Sequence, residues 1–305
     1  MTEPVVIRTE QDVTAAVLAQ LARAPDARFR EIMTVAVRHL HAFVRESRLT
    51  EPEFQQACAA IAALGQATTV SHNEVVLAAG SLGISSLVCL LNNGDGGRRA
   101  TTANLLGPFW RMHSPPTANG DSIVRSPTAG EPIFVTARVT DREGRPVAGA
   151  EVDVWHASPE GLYENQDSAQ ADMNLRGKFM TGDDGRIAFR SIKPAGYPIP
   201  VTGPVGALLR AQGRDHMRPA HLHFLIFKPG FKTQFSQVYS ADDPHLASDV
   251  QFGVTEALTG RYVEHRQEPT PWGEPAPVWH ALYCTFVIEP GEARLPLPPI
   301  TGKVR

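Results

Sequence analysis

Apolar positions along this chain follow two different periods, and the period changes near residue 105. In the first part they recur every three or four residues. Thr9 precedes a stripe of Val13, Ala16, Val17 and Leu21, with Asp12 in the first turn, so it is placed to cap a helix. Asp26 opens a second stripe of Phe29, Met33, Ala36, Leu40 and Phe43. Thr50-Glu51-Pro52-Glu53 is a capping box with proline in the first turn. Phe54, Cys58, Ile61 and Leu64 are expected to form the buried face of that third helix. A fourth helix is predicted from about Asn73 to Leu91, stopping at Asn92-Asn93-Gly94.

Beyond residue 105 the alternation has a period of two. Ile133, Val135, Ala137 and Val139 alternate in PIFVTARV. AEVDVWHA follows the turn at Asp141-Arg142-Glu143-Gly144. Asp183-Asp184-Gly185 is a hairpin signal leading into RIAFRSI. AHLHFLIFK and CTFVIE read as later strands, and Arg261 to Trp279 as a long surface loop. Turns recur without intervening helical periods, which predicts an antiparallel β-sandwich. The expected organisation is an α-helical domain over 1–105 and an all-β domain over 106–305.

Composition sharpens the same boundary. The chain holds 25 prolines in 305 residues, about 8% against a usual ~5%. Only Pro4, Pro25 and Pro52 precede residue 105, and every Tyr and Trp follows it. Loops and strand edges tolerate proline, so the excess fits the sheet domain. Charge nearly cancels, with 29 Lys+Arg against 32 Asp+Glu, which argues against a basic nucleic-acid binder. The N-terminus lacks a basic-then-apolar leader and no run approaches a membrane span, so a cytoplasmic protein is expected. Cys58, Cys89 and Cys284 are odd in number and far apart, and are expected to be buried free thiols.

One histidine pair has ligand spacing. His221 and His223, two apart on a strand, leave the same face with Cα atoms about 6.6 Å apart. Two hydrogen-bonded or surface histidines fit that spacing as well. No HExxH motif or cysteine cluster accompanies them, so zinc hydrolysis lacks a third ligand and a base. The remaining candidate donors are tyrosines. Tyr163 follows a strand, and Tyr197 lies in the proline-stiffened Pro194-Ala195-Gly196-Tyr197-Pro198-Ile199-Pro200. A phenolate suits a hard trivalent cation such as Fe(III); a sandwich-rim position is the commoner fate of a tyrosine.

The order Tyr163, Tyr197, His221, His223, with Gly-Tyr-Pro-Ile-Pro and Arg-Pro-Ala-His-Leu-His, resembles the intradiol ring-cleavage dioxygenases. Leu106-Gly107-Pro108-Phe109 and the run Asp141 to Trp155 are also similar to that family. The run resembles transthyretin-like binding modules too, but that likeness leaves the Tyr/Tyr/His/His set unexplained. The helical segment looks like the linker domain of the catechol and hydroxyquinol 1,2-dioxygenase branch.

The resemblance implies a non-haem Fe(III), one per subunit, held by Tyr163, Tyr197, His221 and His223. It implies an aromatic diol and O2 as substrates. Tyr197 is expected to leave the metal and take a substrate proton. Arg218 matches the arginine that stabilises charge developing on the ring, and Gln237 matches the active-site glutamine. The matching pocket residues are Leu77, Gly80, Leu105, Gly107, Pro108, Phe109, Ile199, Pro200 and Gln251. Phe109, Ile199-Pro200 and Asn174-Leu175-Arg176-Gly177 look like the hydroxyquinol branch. That branch carries an acidic residue where Gly80 aligns, so catechol or a substituted catechol is the alternative substrate. The resemblance further implies a homodimer through the N-terminal helices, with a phospholipid at the interface.

Overall fold

The computed structural model describes residues 6–93, 100–273 and 275–304. The chain divides into two compact units, Met1–Ala62 and Ala63–Arg305. No single helix among the described residues is long and apolar enough to cross a membrane.

The first unit holds α1 (Glu10–Leu21), α2 (Ala27–Ser47) and most of α3 (Glu51–Gln66), which spans the division. The predicted caps form. Asp12 accepts from the Thr9 N–H at 2.8 Å, Asp26 from Phe29 N–H at 2.9 Å, and Glu53 from Thr50 N–H at 2.8 Å. Thr14 joins α1 to α2 through His41 Nδ1 at 2.9 Å and Arg45 Nη1 at 3.1 Å. The apolar stripes behave differently from the expectation. Phe29, Leu40, Phe43, Phe54 and Ile61 are all more than half exposed, and Val37 is the one buried residue of α2. Cys58 is exposed rather than buried. Three helices in a 62-residue unit do not supply enough facing surface to cover every stripe.

The predicted fourth helix is two helices, α4 (Glu74–Ser81) and α5 (Ile84–Asn93), bent by 75°. Gly83 at φ +72° takes a left-handed conformation between them, which a continuous helix does not allow. The stop read at Asn92-Asn93-Gly94 runs into residues outside those described. Both helices belong to the larger compact unit, which begins at Ala63. Long-range hydrogen bonds tie them there. Asn73 Nδ2 donates to Pro299 O at 3.0 Å, and buried Glu74 accepts from Val205 N–H at 2.8 Å.

The strands are β1 (Pro132–Thr140), β2 (Glu151–Trp155), β3 (Arg176–Met180), β4 (Arg186–Ile192), β5 (Tyr197–Pro198), β6 (Met217–Arg218), β7 (His221–Phe227), β8 (Gln234–Ser240), β9 (Thr259–Gly260), β10 (Val263–Arg266) and β11 (Val278–Val287). A short helix, α6 (Pro204–Ala211), lies between β5 and β6. One sheet has the order β10-β11-β1-β4, a second β3-β2-β7-β8-β9, and β5-β6 form a ribbon. Pairing is mostly antiparallel, but β1 runs parallel to β11 and β8 parallel to β9, which corrects the all-antiparallel expectation. The turn at Asp183-Asp184-Gly185 does not make a hairpin either: β3 pairs with β2, β4 with β1, and the turn hands the chain from one sheet to the other. Part of the expected loop after Arg261 is β10, paired to β11. Ile133, Val135, Ala137, Val139, Val152, Val154, Leu222 and Phe224 from the two sheets join one core with no exposed surface. Burying each of the Ile, Val, Leu and Phe side chains contributes about 1.5–3 kcal/mol.

Candidate functional site

A second buried cluster flanks that core and contains Leu77, Phe109, Trp155, Tyr163, Tyr197 and Ile199. Four segments bring chemistry to it. Tyr163 opens a short 3₁₀ turn in the loop after β2. Gly161 permits that loop to lie against Tyr197, because a Cβ there would sit 2.6 Å from Tyr197 Cβ. Tyr197 on β5 is paired in register with Arg218 on β6. His221 and His223 lie on β7, between β2 and β8, with His223 opposite Trp155 on one side and Gln237 on the other. The His223 ring stacks on Trp155 at 4.6 Å and 11°. That packing fixes the imidazole plane.

The polar tips converge. Tyr163 Oη lies 3.2 Å from Tyr197 Oη, 3.4 Å from His221 Nε2 and 3.0 Å from His223 Nε2. The two imidazole Nε2 atoms are 3.1 Å apart. His221 Nδ1 donates to Pro219 O at 2.7 Å, so its Nε2 presents a lone pair to the cluster. All four side chains are buried. Burial, then the Arg218 charge, push the His221 imidazole down to about 3. Burial, then His221, hold His223 well below the ordinary range. Burial, then Tyr197, push the Tyr163 phenol well up, and burial raises Tyr197. Left to themselves these are four neutral groups, with the His221 lone pair 3.1 Å from His223 Nε2.

Such a set fits a metal ion. Four donors at about 2.1 Å from one ion, at angles between square and tetrahedral, stand ~3.0–3.4 Å apart. The observed separations fall in that range. No group of three or more His, Cys, Asp or Glu converges elsewhere among the described residues. Hard phenolate oxygens with imidazoles favour a hard, Lewis-acidic ion over the thiolate-loving ones.

Arg218 closes one side. Its Nη1 donates to His221 Nε2 at 3.2 Å, and its Nε and Nη2 grip Asp249 at 2.9 and 3.1 Å. Burial opposes the guanidinium charge, but Asp249 outweighs it and keeps Arg218 protonated; Arg218 in turn holds the buried Asp249 carboxyl below the usual range. Arg218 Nη2 also donates to Gln237 Oε1 at 3.1 Å and to Tyr239 Oη at 2.9 Å. Gln237 Nε2 donates to Leu105 O at 2.7 Å.

The expected pocket residues divide. The Phe109 ring is 4.7 Å from the Tyr163 ring, and Leu77 and Ile199 pack in the same cluster. A Cβ on Gly107 would lie 3.4 Å from His223 Cε1. Leu105, Gly107 and Gln251 also line a cavity of about 550 Å³ with Asn104, Leu106 and Val88. Pro108 is buried and Pro200 half-buried, each beside a cluster residue in the chain, and neither is a cluster member. Asp249, Tyr239 and Asn104 were not expected. Tyr239 stands two residues from Gln237 on β8, an alternation that could have revealed it. Asp249 is a lone loop carboxylate with no local signal. Glu164 was missed too: Arg176 Nε and Arg111 Nη1 hold it at 2.6 and 2.9 Å, beside Tyr163.

A family model described as "Dioxygenase" matches residues 107–276, and one described as "Catechol dioxygenase N terminus" matches 26–98. The chain is 42% identical over 254 residues to a 6-chlorohydroxyquinol 1,2-dioxygenase of Cupriavidus pinatubonensis, covering 83% of this chain and 91% of that one. It is 42% identical over 250 residues to a hydroxyquinol 1,2-dioxygenase of a Rhizobium species, covering 82% and 84%. Among solved structures, a hydroxyquinol 1,2-dioxygenase from Pseudomonas putida aligns with a TM-score of 0.80 at 36% identity, over 92% of this chain and 99% of that one.

Proposed function

The chain belongs to the intradiol ring-cleavage dioxygenase family, and on that premise we propose that it opens the ring of hydroxyquinol between its two adjacent hydroxyl-bearing carbons. Both atoms of O2 enter the product, a hydroxymuconate or maleylacetate. The observation that carries this reading is the buried convergence of two phenols and two imidazoles in a family that is generally Fe(III)-dependent. Tyr163, Tyr197, His221 and His223 are the residues that would hold one non-haem Fe(III) per subunit. A bound ferric ion supplies Lewis acidity, lowering the pKa of phenols and drawing electron density from the diol.

The protein does the rest. Tyr197 Oη, with Tyr163 Oη 3.2 Å away, accepts one hydroxyl proton of the diol. Arg218, held by Asp249, stabilises negative charge that develops on the ring, as a preorganised cation in a buried site. Gln237, anchored on Leu105 O, orients Arg218 and keeps a second amide N–H for an oxygen of the reacting diol. Leu77, Phe109 and Ile199 surround the ring and exclude water. The two sheets are read as a sandwich, and the helical segment 1–105 as its linker and dimerisation domain. Exposed Phe29, Leu40 and Phe43 on α2 support a homodimer with phospholipid between the copies.

Catechol is the second reading, favoured by Gly80, which offers no acid to a third ring hydroxyl. The test is direct. The purified, iron-loaded protein is expected to be red, to consume O2 with hydroxyquinol faster than with catechol, and to release a ring-opened acid. Faster turnover of catechol selects the second reading. Failure to open either ring after ferric reconstitution rejects both.

A further inference from the structure

Gly80 lies in the buried face of α4, one turn after Leu77. Its helical backbone does not demand glycine. Space does: a Cβ at position 80 would fall 1.8 Å from Gln251 Oε1 and 2.8 Å from its Cδ. The terminal amide of Gln251 therefore sits where a side chain at position 80 would begin. The two residues act as one unit, a polar group carried on a loop in place of one carried on the helix.

The amide is oriented. Gln251 Nε2 donates to Ser81 Oγ at 2.6 Å and to Leu77 O at 3.4 Å. A carbonyl only accepts, so the nitrogen must face Leu77. Nothing among the described residues donates to Oε1. The pair is also tied to the centre. Gln251 N–H donates to Asp249 Oδ1 at 3.2 Å, the carboxylate that grips Arg218. Leu77 packs with Tyr163 and Tyr197. Gln251 lines the same cavity as Gly107, which abuts His223.

We propose that Gln251, seated against Gly80, determines substrate choice: its Oε1 accepts a hydrogen bond from the third hydroxyl of a benzenetriol. This rests on the intradiol reading above and names how that site selects its diol. An amide acceptor is neutral, so the contact costs less to bury than a carboxylate. A site that offers a buried acceptor discriminates against a ring lacking the hydroxyl, because the acceptor is then left unpaired.

The experiment compares hydroxyquinol with catechol in wild type, Gln251→Leu and Gly80→Ala. It reads kcat/KM in air and dissociation constants without O2. Gln251→Leu removes the acceptor at similar volume. Gly80→Ala displaces the flexible amide while leaving a good helix former. Both are expected to lower the hydroxyquinol-to-catechol ratio at least tenfold in each measurement, and the double variant to lower it no further. A ratio that falls less than threefold in Gln251→Leu, or equal losses for both diols, overturns the proposal. Should Gln251→Leu not fold, Gly80→Ala decides by the same thresholds. If the wild type binds both diols but opens neither, the reaction assignment fails and the anaerobic binding ratios still decide the role of Gln251.

Discussion

The helical unit and the sheet unit obey the same patterning rule and end differently. On α2, Leu40 and Phe43 keep 61% and 57% of their surface, whereas Ile133, Val135, Leu222 and Phe224 in the sheets keep none. A stripe of period 3.6 needs one facing element, and a half-buried strand needs a facing sheet. The sheet unit contains its own partner surface. The helical unit has apolar surface left over. Chemistry follows the same division: among the described residues, every buried titratable cluster lies in the sheet unit, where low dielectric makes a fixed charge or lone pair effective.

The largest effect expected from breaking this comparison is at the centre. Tyr163→Phe removes the oxygen that touches three of the other donors. We expect bleaching of the visible band, loss of iron by elemental analysis and at least a thousandfold lower turnover, with the helical unit unaffected by far-UV circular dichroism. Retained colour and iron would take Tyr163 out of the ligand set.

The next contrast sets one core residue against one stripe residue. Phe224→Ala is expected to destabilise the protein by about 3–5 kcal/mol in urea unfolding. Phe43→Ser is expected to change it by no more than ~0.5 kcal/mol at subunit concentrations where the copies are apart. In the proposed homodimer, the same variant should raise the dissociation constant measured by sedimentation. Equal destabilisation by both would mean that the α2 stripe is ordinary core.

The last contrast separates a structural histidine from those of the site. His156 is buried, donates from Nδ1 to Ala157 O at 2.7 Å and accepts from Ser191 Oγ at 2.6 Å. Burial pushes its folded pKa down to about 4 from 6.5. A depressed histidine pKa means that the unfolded chain takes up the proton first. Its contribution is therefore complete above pH 6.5 and is lost as pH falls toward 4. Between pH 7.5 and 5 the loss is about 2 kcal/mol. His156→Gln should flatten the stability profile by that amount; an unchanged slope would show that His156 titrates normally.

Much of the centre was legible because its parts are local. His221 and His223 share a face by strand geometry alone, and proline around Tyr197 marks a stiffened segment. The helix starts were legible for the same reason: a cap and its acceptor are three residues apart. The misreadings all depended on distant partners. Gly83 breaks a helix because α4 is bound to Val205 and Pro299. The Asp-Asp-Gly turn looks like a hairpin until β4 is seen to pair with β1. Asp249 carries no pattern, yet it is the carboxylate that grips Arg218.

The sequence by itself determined the period change near residue 105, the helix caps, five of the eleven strands and the His221/His223 pair, since each depends on residues within a few positions of one another. Only the tertiary structure decided which apolar faces find cover, where the compact units divide and what stands beside Gly80. Those depend on pairs such as Gly80 and Gln251, 171 positions apart, which the chain must fold to bring against each other.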